Sequence, residues 1–300
     1  MPFSGAARSL LQRPRQRSRR VVRTIFDDLF TVFFPADCRI CDGPLLCANT
    51  VPICDQCLQK IQPQDSPLCK VCGEALDMDG ARYASQYPTE GLLCAPCRMA
   101  PPAFERAVAH TIYQDETREL IHLLKYERMR SIAEPLGKLL AHTIESLEHE
   151  AGRDLVVIAV PLFPSRERQR GYNQSVLLAA AAIKQLRRMK PEWKLTAAHS
   201  SLRRVKNTES QFSLTPKARR RNLQGAFAVS NNAAIKDREV LLVDDIYTTG
   251  ATARACSSAL RKAGAEKVWV ATVSRAQPEM VTAWDIARDV ALDMETTQRS

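Results

Sequence analysis

Glu239-Val240-Leu241-Leu242-Val243-Asp244-Asp245-Ile246-Tyr247-Thr248-Thr249-Gly250-Ala251-Thr252 is the stretch that decides how this chain is read. A short apolar run ends in two adjacent carboxylates, a Thr/Gly-rich turn follows, and a helical pattern occupies 253–263. The run is brief, β-branched and bounded, so it reads as a buried parallel strand. Open α/β sheets bind ligands in the crevice outside the carboxyl ends of their strands. Thr248, Thr249 and Thr252 offer hydroxyls. Gly250 lets a backbone come close, and the N–H groups that open the helix favour an anion. A phosphate in the turn, with vicinal hydroxyls or a metal at Asp244 and Asp245, uses all these groups together; that describes a ribose 5-phosphate. A strand running into a solvated turn would leave two like charges side by side without a reason.

The remaining composition bounds the class. At 300 residues the chain holds one sizeable α/β domain and a smaller one. Hydrophobic content of 45% and charged content of 25% are ordinary for a globular protein. No apolar stretch reaches the length of a membrane span; 26–35 is apolar but too short. The basic N-terminus lacks an apolar stretch followed by a small-residue cleavage site, so a cytoplasmic location is expected. The net charge of +10 is concentrated. Residues 8–23 carry seven arginines and no acid, 203–221 carry seven Lys/Arg against Glu209, and Arg166, Arg168 and Arg170 surround Glu167. Such patches suit the phosphates of a small ligand or a nucleic-acid backbone, while an arm like 8–23 can also be a solvated, disordered segment.

Nine of the ten cysteines fall between Cys38 and Cys97. Eight make four C-x-x-C pairs: Cys38/Cys41, Cys54/Cys57, Cys69/Cys72 and Cys94/Cys97. Each knuckle aims two thiolates at one centre, and two knuckles complete a tetrahedral sulfur site, so two structural Zn2+ sites are expected. The segment has little apolar core of its own, and metal would hold it together. We pair the knuckles in sequence order as tandem ribbons; an interleaved cross-brace uses the same residues and stays open. Cys47 reads as a loop residue and Cys256 as a small buried hydrophobe.

Along the rest of the chain, 24–34 reads as a short amphipathic helix, and Pro101-Pro102 marks a boundary. Strands are expected at 107–113, 155–160 and 267–273, and helices at 115–126, 131–147 and 173–189, with Ser131 and Glu134 as a capping box and Asn173 as an N-cap. Strands alternating with helices give a parallel sheet. A final helix is expected near Trp284 and Val290.

The 239–252 segment resembles the phosphoribosyl pyrophosphate (PRPP) signature of type I phosphoribosyltransferases. The resemblance extends to the ComF family of competence-associated proteins. It is carried by 120–136 with Lys125-Tyr126, by 160–174 with Arg166, Arg168, Arg170, Gly171, Tyr172, Asn173 and Gln174, by 202–227 with Thr208, Gln211, Leu214 and Arg219 to Asn222, and by the four knuckles. It implies a type I phosphoribosyltransferase fold with a parallel sheet and a flexible hood, preceded by a Cys-rich double zinc ribbon. The domains implied are a basic arm (1–23), a helix plus double ribbon (24–100), a phosphoribosyltransferase-like domain (101–276) and a tail (277–300).

The resemblance also implies roles. Asp244 and Asp245 hold the ribose hydroxyls, and Thr248, Thr249, Gly250, Ala251 and Thr252 cradle the 5-phosphate. A loop opened by Val160-Pro161-Leu162 holds pyrophosphate, with Arg166, Arg168 and Arg170 following it and Lys125 a further phosphate contact. Mg2+ accompanies PRPP, held mainly by ligand oxygens. The hood, with Gln211, Arg219, Arg220 and Arg221, closes over PRPP or contacts single-stranded DNA. Thr248 departs from the purine-salvage pattern, in which a carboxylate near the incoming base often stands at that place. Three functions stay open: a phosphoribosyltransferase acting on PRPP with an unnamed acceptor, a DNA-processing factor working with single-stranded DNA or a competence helicase, and a PRPP or nucleotide sensor without turnover.

Overall fold

The structure is a computed structural model that describes residues 37–45, 51–65, 67–76, 92–207, 223 and 225–277. The arm, the 24–34 helix, Cys47, the tail beyond Gln277, and Thr208, Gln211, Leu214, Arg219, Arg220 and Arg221 all lie outside these residues. The chain divides into two compact units, Met1–Gln59 and Lys60–Ser300. Among the described residues no helix is long and apolar enough to cross a membrane.

The described residues of the first unit form a small cysteine ribbon. Asp37 and Pro44 form an antiparallel bridge that closes the first knuckle. The Cys38 N–H donates to Gly43 O at 2.8 Å, and Asp42, in the left-handed region at φ 55°, donates to Cys38 O at 2.9 Å. Helix α1 (Asp55–Gln59) carries Cys57 of the second knuckle. The same plan recurs at the start of the second unit. Leu68 bridges Ala75, Cys69 N–H donates to Glu74 O, and Gly73 at φ 70° donates to Cys69 O. Helix α2 (Ala95–Met99) then carries Cys97. One module has been written twice.

The body of the second unit is an α/β sheet. Its strands are β1 (Arg106–Ile112), β2 (Asp154–Ala159), β3 (Lys194–Ala197), β6 (Glu239–Tyr247) and β7 (Lys267–Arg275), all parallel, in the order β1-β7-β6-β2-β3. Two further strands, β4 (Leu202–Arg204) and β5 (Phe227–Val229), pair antiparallel and frame the stretch expected to form the hood. The helices are α3 (Asp115–Tyr126), α4 (Ala133–Glu145), α5 (Pro164–Arg170), α6 (Gln174–Met189) and α7 (Ala251–Lys262). In β2, β6 and β7 the central residues are buried almost without alternation, as strands covered on both faces require. Helices α4 and α6 meet closely at Gly137, where a Cβ would lie 2.3 Å from that of Ala181.

Three local expectations change. Ser131 does not cap a helix. It lies in a 3-10 turn (Arg130–Ile132) that runs straight into α4, whose N-cap position is Ile132 with no side-chain bond. The apolar strand does not stop at the acids. Its ladder with β7 continues through Asp244, Ile246 and Tyr247, opposite Thr272, Ser274 and Arg275. The arginines after Val160 sit on the short helix α5, which Pro164 opens and left-handed Gly171 closes at φ 80°.

Candidate anion-binding site and cysteine centres

The signature residues occupy the carboxyl end of β6 and the turn beyond it. Successive strand residues point to opposite faces, so the adjacent carboxylates diverge and find different partners. Asp244 Oδ1 accepts from Ser175 Oγ at 2.9 Å and from the Asp245 N–H at 3.0 Å. Asp245 Oδ2 lies 2.9 Å from Lys125 Nζ, with side chains only 6% and 15% exposed. Lys125, expected as a phosphate contact, comes from the last turn of α3 and pairs with a signature carboxylate. Ser175 belongs to no motif in the sequence. Its signal is positional: it is a fully buried serine two residues after Asn173, whose side chain accepts its N–H at 2.9 Å and donates to Val160 O. One helix start therefore aligns both the end of β2 and Asp244.

Burial, and then the neighbouring Asp245 carboxylate, push the Asp244 carboxyl up to about 7, against the opposing pull of Lys125, Ser175 and the Asp245 N–H. Arg204 and the buried Cys256 also sense this charge. The folded state holds this proton more tightly than the unfolded chain does. Stability should therefore fall as pH rises from about 4 to about 7 and level off above that. Asp244→Asn should remove that slope and add about 1–2 kcal/mol at pH 8, less than full linkage gives because the carboxylate is partly solvated. Near pH 4 it should add almost nothing. Urea unfolding of both proteins at pH 4, 6 and 8 checks the sign.

Thr248, Thr249 and Gly250 form the turn, and Ala251 and Thr252 open α7. Gly250 is the N-cap residue at φ 71°, in the left-handed region. A Cβ there would stand 2.1 Å from Tyr247 Oη and 2.5 Å from Cζ. Gly250→Ala should cost about 1–3 kcal/mol, from left-handed strain added to displacement of a buried ring. Denaturant titration measures it, and a loss below a few tenths would mean that the turn relaxes freely. The closed part of this concavity has a volume of about 20 Å³, lined by Asp244, Thr248, Gly250 and Thr252 among others. A much larger cavity of about 1080 Å³ lies along the edge strand β1, by Gln64, Val71, His110 and Ser146, and includes none of the signature residues.

Of the α5 arginines, Arg170 meets the end of α3 through an aromatic ring, while Arg166 lies near enough to Arg204 to repel its charge. The Arg170 guanidinium stands 5.5 Å from the Tyr126 ring centre, and Arg170 also donates to Gln174 Oε1. Arg130, exposed, stacks 4.8 Å over Tyr172 and donates to Gly171 O at 2.9 Å. Arg128, held at φ 57°, donates to Gln169 O at 3.1 Å. Arg128 and Arg130 join Arg170 around Tyr172. The sequence hides them because they lie some 40 residues upstream.

The eight knuckle cysteines converge as two tandem sets, Cys38, Cys41, Cys54, Cys57 and Cys69, Cys72, Cys94, Cys97, each with its sulfurs within 4.8 Å of one another. This settles the pairing in favour of sequence order. Sulfur separations of 3.9 Å (Cys38–Cys57), 3.7 Å (Cys41–Cys54) and 3.5 Å (Cys72–Cys94) match the edge of a tetrahedron with Zn–S near 2.3 Å, about 3.8 Å. Both sets can therefore hold structural zinc. The second is buried throughout and belongs to the same apolar core as Phe104, Leu242 and Tyr247.

A parallel sheet with a Thr/Gly turn and a helix start beyond a carboxylate pair fits a phosphoribosyltransferase-fold domain, and the sequence model of the phosphoribosyl transferase domain matches residues 173–288. Competence protein F of Haemophilus influenzae is 33% identical over 248 residues, covering 81% of this chain and 99% of that protein. The DNA utilization protein YhgH of Escherichia coli K12 is 30% identical, covering 79% and 95%. Competence protein ComFC of Bacillus subtilis is 23% identical, covering 71% and 79%. The chain belongs to the competence protein F family.

Proposed function

We propose that this chain binds PRPP with Mg2+ at the β6–α7 turn and serves a competence-associated role in handling DNA. The observation that carries the first part is left-handed Gly250, which opens a 12-residue helix just beyond a carboxylate pair already fixed by Ser175 and Lys125. The N–H groups of the helix start receive the 5-phosphate, and the Thr248, Thr249 and Thr252 hydroxyls add donors. Asp244 and Asp245 accept from the ribose hydroxyls. Because their partners hold them in place beforehand, little ordering is lost on binding. Arg166, Arg168 and Arg170 serve the pyrophosphate, whose paired oxygens suit the guanidinium fork. Mg2+ neutralises pyrophosphate oxygens when PRPP is bound. Thr248 supplies no carboxylate to activate an acceptor, so the proposal is one of binding, with transfer as a second step to be assayed.

The competence setting rests on the relatives, whose names refer to competence and DNA utilization. A second reading, single-stranded DNA on the arginine surface, is favoured by Arg130 and Arg170 lying over Tyr172 and Tyr126, with Arg128 bonded to Gln169 O beside them. Backbone contacts of that kind would give an affinity that falls steeply with salt.

The discriminating experiment compares PRPP affinity in the wild type with Asp244→Asn and Asp245→Asn. Losing two or more charge-assisted bonds to ribose should weaken PRPP about 100-fold or more. Binding of inorganic phosphate, which needs only the turn, should be kept. Unchanged PRPP affinity in both variants would reject the assignment of the acids.

A further inference from the structure

The second cysteine site does more than fold a ribbon. Two arginines run from it to the signature turn. Arg254 lies one helical turn into α7, and its own N–H closes that turn by donating to Gly250 O at 2.9 Å. Its side chain leaves the helix for the ribbon, donating through Nη1 to Ala100 O at 2.5 Å and placing Nη2 3.8 Å from Cys97 Sγ. Arg275, at the end of β7 and 5% exposed, donates to Cys72 O at 2.6 Å and meets Glu74 Oε2 at 3.3 Å. The same guanidinium lies 4.4 Å over the Tyr247 ring, which also meets the Phe104 edge, at 6.4 Å between centroids, and packs by Gly250. The backbone beyond Arg275 is tied as well, since the Ala276 N–H donates to Tyr247 O at 2.9 Å. The turn is thus held at both ends, at Tyr247 and at Arg254, by cations whose far sides rest on the ribbon.

A zinc ion with four thiolates carries a net charge of −2. Protonated, metal-free thiols carry none, and Arg254 then loses the charge its guanidinium faces. We infer that Arg254 and Arg275 are positioning residues that couple metal occupancy of Cys69, Cys72, Cys94 and Cys97 to the shape of the 248–252 turn, and so to its affinity for a phosphorylated ligand. The ligand part rests on the PRPP reading above; the coupling does not.

The test uses the full-length, zinc-loaded protein. Hydrogen–deuterium exchange is followed in peptides covering 247–254, with β6 peptides before Asp244 as an internal reference. Arg254→Met, with zinc still bound, should speed exchange at the turn by about tenfold, the effect of losing a charge-assisted tether, and leave the reference unchanged. Arg254→Lys, which keeps the charge, should restore much of the protection. PRPP affinity should weaken in Arg254→Met by a similar factor. Removing zinc by chelation should reproduce the turn's faster exchange. Wild-type exchange at the turn in loaded Arg254→Met would overturn the inference, as would equal exchange in the Lys and Met variants. If the wild type binds no PRPP yet its turn responds to Arg254→Met, the coupling stands and the PRPP reading falls.

Discussion

Lys125→Ala should destabilise the fold by about 3–5 kcal/mol, the cost of leaving a buried charge without its partner. The ammonium and the Asp245 carboxylate are 2.9 Å apart and almost sealed from solvent. Before any ligand binds, the acid is 4% exposed as a residue and flanked by the buried Val243 and Tyr247. Without the lysine, Asp245 must ionise unpaired or take a proton. Lys125→Met, which keeps the stem's packing, should lose nearly as much, because charge and not volume is the cause. Adding Asp245→Asn to Lys125→Ala should recover a large part of the loss, giving a strongly non-additive double-mutant cycle in urea. If the two single losses simply add, the pair is not a unit. The same cycle bears on function, because PRPP affinity should drop in Lys125→Ala through the displaced Asp245 even though Lys125 need not touch the ligand.

Stripping metal from the second cysteine set should lower the melting temperature of the α/β unit by about 10 °C or more. Structural zinc contributes about 10–16 kcal/mol in isolated finger peptides, where it is nearly the whole fold. Here the sheet has its own core, and a smaller share is expected. Even about 4 kcal/mol moves the midpoint of a domain this size by about 8–16 °C. The effect is large because Cys69, Cys72, Cys94 and Cys97 are 2–6% exposed within the central apolar cluster. Without metal, four thiols packed at van der Waals distance hold nothing together. Circular dichroism melts with and without chelator, together with measured zinc content, provide the check. An unchanged midpoint after complete zinc loss would show that packing alone secures the ribbon.

Some of this was legible in the chain and some was not, for reasons of distance along it. The β6–α7 segment could be read because strand, acids, turn and helix are contiguous, and each follows from local chemistry. The knuckle pairing also follows chain order, and the two ribbons repeat one hairpin with a left-handed residue four positions after its first cysteine, Asp42 in one and Gly73 in the other. Lys125 could be selected as a cation at a helix end, but its partner lies 120 residues away, and nothing local to either residue announces the pair. Arg254 and Arg275 look like ordinary helix and strand-end cations until the ribbon is laid against them. The Ser131–Glu134 pattern failed because a 3-10 turn takes the position where a cap would be needed. The acids stayed in the strand because β7 runs on beside them to Arg275, a long-range pairing that overrides their poor strand propensity.

The most direct measurement is a calorimetric titration of the zinc-loaded protein with PRPP and Mg2+, with released pyrophosphate assayed in the same sample. Saturable one-site binding, lost in Asp244→Asn and Asp245→Asn, is expected, and pyrophosphate release would add transfer to binding. Absence of any PRPP binding by a folded, zinc-loaded protein would contradict the PRPP reading and leave the turn as a phosphate site for some other ligand.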